Sequence, residues 1–268
     1  MPPRNTAPIT TALVGINVAV FVAMTLTGVS PVAPATGPLL KWGANWGPLS
    51  LGMQSWRMLS SNYVHAGIIH IGLNMWCLWN LGFLAERIFD PWTYVLTYTA
   101  CGLSGSIASL WLHPMTVGVG ASGAIFGLAG ALIAALYLGH LPIPKEAIRG
   151  TLRSLVAFAG YNLFFGAVAP FIDNSAHIGG LVCGLAIGSL LAKHLMAPPE
   201  VRNTWRAITF IAAAVVLLVL YEMVKRQNAV PLPPATQSSQ LSYSVPASSS
   251  SSSLTISTAC PRTAKVNF

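Results

Sequence analysis

The chain has 268 residues, of which 54% are hydrophobic and only 7% are charged. Soluble domains carry about 25% charged residues, so this composition excludes a large soluble core and indicates a polytopic membrane protein. The formal net charge of +8 comes from basic residues spread thinly over loops, without the clustered basic face that nucleic-acid binding requires.

The sequence contains seven apolar windows that are each long enough for a membrane-spanning helix, which needs about 20 residues. They lie at about 9–28, 63–84, 93–112, 120–140, 152–170, 175–195 and 206–224. The first window also has features of a signal peptide, because Arg4 precedes it and Ala33-Pro34-Ala35 resembles a cleavage site. Its length favours a retained helix, so we predict an all-α protein with seven spanning helices.

The segment 29–62, between the first two windows, is rich in tryptophan, proline and glycine, which is typical of a loop in the headgroup region. The basic residues within 145–153 and 202–206 favour a cytoplasmic location for these two segments and for the N-terminus. Lys225 and Arg226 argue mildly against this orientation for the seventh helix.

Polar residues open the second, fourth and sixth windows, which run in the same direction through the membrane. They are His65, His70 and Asn74 in the second, Ser122 in the fourth and His177 in the sixth. Polar side chains in hydrocarbon are costly and therefore mark functional sites. A hydroxyl and an imidazole at one depth suggest a nucleophile and its base.

Helical spacing indicates which of these residues share a face of their helix. His70 and Asn74 are four positions apart and share a face, whereas His65 is rotated away and lies nearer the loop. Ser122 and Phe126 are also four apart, which places an aromatic ring beneath the hydroxyl. The hydroxyl lies beside the unsatisfied amides of a helix N-terminus, which stabilise developing negative charge.

Glycines at four-residue intervals predict close contact between the fourth and sixth helices. Gly123 and Gly127 form one ridge, and Gly180, Gly184 and Gly188 form the other. Such small residues let helix backbones pack closely in lipid and would hold the hydroxyl against the imidazole. For the glycines alone, generic packing without catalysis is an equal alternative.

These motifs together resemble the rhomboid intramembrane serine proteases. The matching segments, within about 9–195, are Trp56-Arg57, His65-x4-His70-x3-Asn74, Gly120-Ala121-Ser122-Gly123 and His177-x2-Gly180-x3-Gly184. The resemblance implies a rhomboid-like six-helix bundle plus one C-terminal transmembrane helix (6+1). It also implies a serine endopeptidase that cleaves transmembrane segments of membrane proteins near the outer membrane face, in contact with the lipid bilayer.

The resemblance assigns Ser122 as nucleophile and His177 as general base. It assigns oxyanion stabilisation to His70, Asn74 and the Ser122 backbone amide, and implies no metal and no cofactor. The position of Phe126 is often tyrosine in that family. Supporting roles fall to Gly120, Gly123, Phe126, Gly180, Gly184 and His65.

The expected organisation is a short cytoplasmic N-terminus (1–8), a catalytic core with its interfacial loop (9–195), a linker with the seventh helix (196–226) and a disordered Pro/Ser-rich tail (227–268). The short loops favour a bacterial cytoplasmic membrane. We also expect Asn80 and Asn162 to hydrogen-bond across helices.

The sequence also admits two other functions and leaves the role of one carboxylate open. The protein could be a non-catalytic rhomboid-like protein that binds transmembrane clients, although such relatives typically lack the nucleophile or the base. A channel or transporter would spread polar groups through the bilayer and show internal repeats, and neither is visible. Asp173, four residues before His177, is either a third catalytic residue or a loop carboxylate at the helix entry.

Overall fold

The computed structural model describes residues 6–169, 172–228 and 266–267, so most of the predicted tail lies outside the described residues. Within them, the regular secondary structure is helical apart from two short strands that pair in parallel, β1 (Val117–Gly118) and β2 (Val266–Asn267). The helices are α1 (Pro8–Leu26), α2 (Thr36–Lys41), α3 (Gly47–Ser50), α4 (Arg57–Ser60), α5 (Ile68–Ile88), α6 (Pro91–Leu112), α7 (Ser122–Leu138), α8 (Lys145–Val168), α9 (Asn174–Ala192) and α10 (Pro199–Gln227).

Six of the described helices are long and apolar enough to cross a membrane, namely α1, α5, α6, α8, α9 and α10. Helix α7 is apolar but has only 17 residues. Many large apolar side chains of α1, α8 and α10 remain exposed, as expected for helices that face lipid. The predicted all-α polytopic architecture is therefore confirmed.

The segment 29–62 differs from the predicted loop, because it contains the short helices α2, α3 and α4. The buried side chain of Arg57 holds this segment together. Its guanidinium donates to the carbonyls of Leu40 at 2.6 Å and Ala44 at 3.2 Å, and to the Gln54 side chain at 2.7 Å. A tertiary contact of this kind stabilises helices too short to form alone, and local sequence does not reveal it.

Helix α7 is the buried centre of the bundle and packs directly against α9. A methyl group at Gly180 would overlap the carbonyl oxygen of Gly123, and one at Gly184 would overlap that of Gly127. Gly188 in turn faces Ala131, so successive contacts step toward the C-terminal ends of both helices, and α7 and α9 run parallel. The predicted glycine ridges thus form the α7–α9 contact, with almost no space between the backbones.

Among the described residues, the two asparagines expected to link helices make no hydrogen bond to another helix. Asn80 and Asn162 each donate to the carbonyl of the residue four positions earlier in their own helix, at 2.7 and 2.8 Å. A carboxylate makes such a link instead. Glu86 of α5 accepts hydrogen bonds from the Thr10 amide at 2.6 Å and hydroxyl at 2.7 Å, which joins the end of α5 to the start of α1.

Helix α10 is attached at both ends. Near its start, Arg206 forms an ion pair with Asp90 at 2.8 Å. Near its end, the Tyr221 hydroxyl donates to the carbonyl of Ser50 at 3.2 Å, and Val224 is buried in a cluster that includes Met58. Helix α10 therefore packs along α6 and supports the segment that contains α3 and α4.

We expect the ion pair to make stability depend on pH. Burial alone would raise the pKa of Asp90, but hydrogen bonds from Thr93 and the nearby Arg206 outweigh it and lower the pKa. A pKa that folding lowers means that ionised Asp90 stabilises the fold at neutral pH. This contribution is lost as acidification passes the ordinary aspartate pKa of about 4 and then the lower pKa of the folded state. Asp90→Asn should therefore lower the melting temperature at pH 7, with a smaller difference from wild type near pH 3.

The partner variant Arg206→Gln is the matched control, measured by thermal unfolding in detergent. The double variant should be little less stable than either single variant, because both single changes remove the same interaction. A difference between wild type and Asp90→Asn that stays constant from pH 7 to pH 3 would contradict this assignment.

Candidate active site

A cavity of about 340 Å³ lies between α5, α7, α8 and α9. Four polar residues that the sequence singled out line it together: His70, Asn74, Ser122 and His177. The remaining lining is mostly apolar and consists of Val32, Ala66, Ile69, Leu73, Cys77, Ile125, Phe126, Phe158, Asn162 and Ile172. The cavity thus combines a few converging polar groups with apolar walls, as ligand sites commonly do.

Ser122 is the first residue of α7, and the turn before it fixes its position. Gly120 has φ +116°, a backbone conformation that residues with a side chain rarely adopt. A Cβ at this position would also lie 2.7 Å from the His70 ring. The Gly120 amide donates to the carbonyl of Ser61 at 2.9 Å, and the Ala121 amide donates to His65 at 3.4 Å. The segment before α5 therefore holds the turn that precedes Ser122 through the backbone amides of that turn.

His65 lies before α5 rather than in its first turn, where the predicted window placed it, because the helix begins at Ile68. The ring is fully buried. Its Nδ1 is 3.3 Å from the carbonyl of Tyr63, so Nδ1 donates and Nε2 accepts from Ala121. Burial lowers the pKa of His65 to about 4, against an opposing effect of the Tyr63 hydrogen bond, so the ring is neutral at pH 7.

His177 lies in the first turn of α9 and is only 6% exposed. Its ring stacks on Phe126, with centroids 4.2 Å apart and planes at 9°. Within the described residues, neither ring nitrogen has a hydrogen-bond partner, so neither Ser122 nor Asp173 bonds to the ring. Hydrogen bonds of catalytic groups are often long without substrate and shorten only in the reacting complex.

The Asp173 carboxylate has a different partner from the one that a catalytic triad requires. It accepts hydrogen bonds from the Ala176 amide at 3.1 Å and the Ser175 hydroxyl at 2.8 Å. Asp173 is therefore the N-cap of α9. This geometry favours the helix-entry interpretation of its carboxylate.

His70 and Asn74 share one face of α5, as their spacing predicts. The Ala66 amide donates to His70 Nδ1 at 3.3 Å, so Nε2 carries the proton of the neutral ring and lies on the side of Gly120. Asn74 Nδ2 donates to the His70 carbonyl at 3.0 Å and keeps a second N–H. Two side-chain donors therefore line the cavity beside the start of α7.

A second, smaller cavity of about 20 Å³ adjoins Ser122 from another side and has room for about one water molecule. Its polar lining includes Asn45, Asn62 and Asp173. Sequence reasoning missed Asn45 and Asn62, because both lie in or next to the short helices of the interfacial segment, which no periodicity marks. In the described part of the chain, no group of three or more His, Cys, Asp or Glu residues could hold a metal ion.

Comparison with known proteins gives matches over the part of the chain that builds this cavity. The family model of the Rhomboid domain matches residues 52–194, more than half of the chain. Rhomboid protease GluP of Bacillus subtilis (strain 168) is 35% identical over 189 residues, which are 70% of this chain and 36% of that protein.

Two further relatives differ in how much of their length is shared. Rhomboid protease AarA of Providencia stuartii is 28% identical over 80% of this chain and 82% of its own length. RHOMBOID-like protein 7 of Arabidopsis thaliana is 35% identical over 61% of this chain and 51% of its own. The chain thus spans about half the length of this plant relative and about a third of GluP. The matched domain, with its apolar helices, shows that this integral, multi-pass membrane protein belongs to the rhomboid family.

Proposed function

We propose that the protein is an intramembrane serine endopeptidase in which Ser122 is the nucleophile and His177 the general base. One observation carries the proposal: both residues line one cavity, from the first turns of two helices that glycines hold in direct contact. Nucleophilic catalysis requires a base within reach of the hydroxyl, and stacking on Phe126 restricts where the imidazole can move.

In the proposed reaction, Ser122 Oγ attacks the scissile carbonyl while His177 accepts the hydroxyl proton. The tetrahedral oxygen receives hydrogen bonds from His70 Nε2, Asn74 Nδ2 and the Ser122 amide. His177 then returns the proton to the leaving amine, and an acyl-enzyme remains on Ser122. Water then attacks the ester carbonyl while His177 accepts one of its protons. The C–Oγ bond breaks as His177 returns that proton to Ser122 Oγ, which releases the second product as a carboxylic acid and regenerates free Ser122 and neutral His177.

Removal of either oxyanion donor should lower kcat by about 10²- to 10³-fold with little change in KM, because the charge forms only in the transition state. The variants are His70→Ala and Asn74→Ala, measured by initial rates of cleavage in liposomes. Cys77→Ala is the matched control, since Cys77 lines the same cavity and offers no strong donor. Equal rates in Asn74→Ala and Cys77→Ala would contradict the role of Asn74.

The proposed substrates are transmembrane segments of other membrane proteins, cut near the outer face. The apolar walls of the cavity suit such segments, and α5 and α8 flank it. Helix α8 is loosely held, because only Leu155, Ala159 and Gly166 of its described side chains are buried. We propose that substrate enters between α5 and α8. We further propose a bacterial cytoplasmic membrane, an N-terminus on the cytoplasmic side and a catalytic core spanning 9–195.

The test is cleavage of a single-span substrate by purified protein in liposomes, together with labelling by a serine-reactive phosphonate. Wild type should cleave the substrate and carry the label on Ser122, whereas Ser122→Ala should do neither. The alternative function, a non-catalytic protein that binds transmembrane clients, predicts that wild type binds the substrate without cleavage and without label.

A further inference from the structure

The first turn of α9 depends on Asp173. This residue is 5% exposed, and its carboxylate accepts the Ala176 amide proton at 3.1 Å. Its backbone carbonyl accepts the His177 amide proton at 3.3 Å. Asp173 therefore contacts the backbone of the proposed base through the first turn, although its carboxylate accepts no hydrogen bond from the ring.

Two more side chains hold Asp173 in place. Ser175, also 5% exposed, donates its hydroxyl proton to Asp173 Oδ1 at 2.8 Å. The same hydroxyl oxygen is 2.9 Å from Nδ1 of His113, the C-cap residue of α6. Since the hydroxyl has one proton and it points to the carboxylate, the oxygen accepts from His113 Nδ1. The result is a hydrogen-bonded chain, His113–Ser175–Asp173, which joins the end of α6 to the start of α9.

We propose that Asp173, held by Ser175 and His113, is a positioning residue that sets where the His177 ring lies relative to Ser122. This inference rests on the proposed function. Neither ring nitrogen of His177 has a hydrogen-bond partner among the residues that the structure describes. The position of the ring is therefore determined by the α9 backbone and by the stack on Phe126. A displacement of about 1 Å at a reacting group can lower a rate by about 10²-fold, so a loosened first turn reaches the chemistry.

This role differs from that of a carboxylate in a catalytic triad in one measurable way. A triad carboxylate orients and stabilises the protonated base, and its replacement by asparagine lowers kcat by about 10⁴-fold. An N-cap works through an acceptor oxygen, and asparagine is about as good an N-cap as aspartate, whereas alanine is poor. The asparagine and alanine variants therefore separate the two roles.

The kinetic experiment compares wild type, Asp173→Asn and Asp173→Ala on a single-span substrate in liposomes. We expect Asp173→Ala to lower kcat by about tenfold or more at unchanged KM, and Asp173→Asn to stay within about threefold of wild type. Equal, large losses in both variants would overturn the inference in favour of a triad. Wild-type kcat in Asp173→Ala would overturn it as well.

Variants of His113, at the other end of the hydrogen-bonded chain, keep the test valid if Asp173→Ala does not fold. His113→Ala should lower kcat at unchanged KM, and His113→Asn should restore it, because the asparagine amide can donate in place of Nδ1. Equal kcat values in wild type and His113→Ala would show that the link from α6 has no effect on the base.

Amide hydrogen exchange provides a readout that needs no activity. Peptides covering 174–180 should exchange faster in Asp173→Ala than in wild type or Asp173→Asn, while peptides from the first turn of α7 should not change. Unchanged exchange at 174–180 in Asp173→Ala overturns the inference. A wild-type protein that cleaves nothing overturns the proposed function instead, so the two failures are distinguishable.

Discussion

Replacement of Ser122, the proposed nucleophile, by alanine should lower the rate of substrate cleavage by about 10⁴- to 10⁶-fold, because the attacking hydroxyl is lost while the cavity and the proposed oxyanion donors remain. His177→Ala should have an effect of similar size. The double variant should be no worse than either single variant, since nucleophile and base act as one unit. The measurement is the initial rate of product formation in liposomes, with KM determined for each variant.

Ser154→Ala is the matched control for this experiment. The exposed Ser154 hydroxyl donates to the carbonyl of Gly150 in its own helix at 3.2 Å and does not line the 340 Å³ cavity. The control should cleave at close to the wild-type rate. Activity in Ser122→Ala that equals this control would refute the assignment of the nucleophile.

Gly184→Ala should destabilise the protein by about 1–3 kcal/mol, because the new methyl group would overlap the Gly127 carbonyl and force α7 and α9 apart. A decrease in the free energy of unfolding would be informative, because the usual effect of this substitution is the opposite. Glycine-to-alanine changes in an open helix position normally increase helix stability, by about 1 kcal/mol. Thermal or denaturant unfolding in detergent measures the difference.

Gly160→Ala provides the opposite expectation in the same protein. Gly160 lies in α8, and no described atom outside its own helix lies within 4 Å of the Cβ that alanine would add. This variant should unfold at or above the wild-type midpoint. Equal midpoints for Gly184→Ala and wild type would mean that α7 and α9 tolerate separation, contrary to the packing described.

The elements that sequence predicts well are those with a strong local pattern. Long apolar windows reveal the spanning helices, and glycines four residues apart reveal which two are in contact. Ser122 and His177 stand out because polar residues are rare in such windows. Their catalytic roles stay predictions until a cleavage assay is made.

Features that depend on distant contacts could not be predicted in this way. Helices α2 and α4 are short and rely on Arg57, whose acceptors lie up to 17 residues away. The link from His113 to Ser175 spans 62 residues and joins two helix ends that carry no periodic signal. The expected hydrogen bond from Asn162 to another helix is wrong, because an asparagine in an apolar helix can also donate to a carbonyl of its own helix, as it does here.

The contact between Tyr221 and Ser50 has a consequence for biosynthesis. These residues are 171 positions apart in the chain. At about 5–20 residues per second, roughly 10–35 s pass between the synthesis of Ser50 and that of Tyr221. During this interval the segment that positions the Ser122 turn lacks its last support. The nascent protein would therefore reach its final interfacial arrangement only after α10 has been inserted.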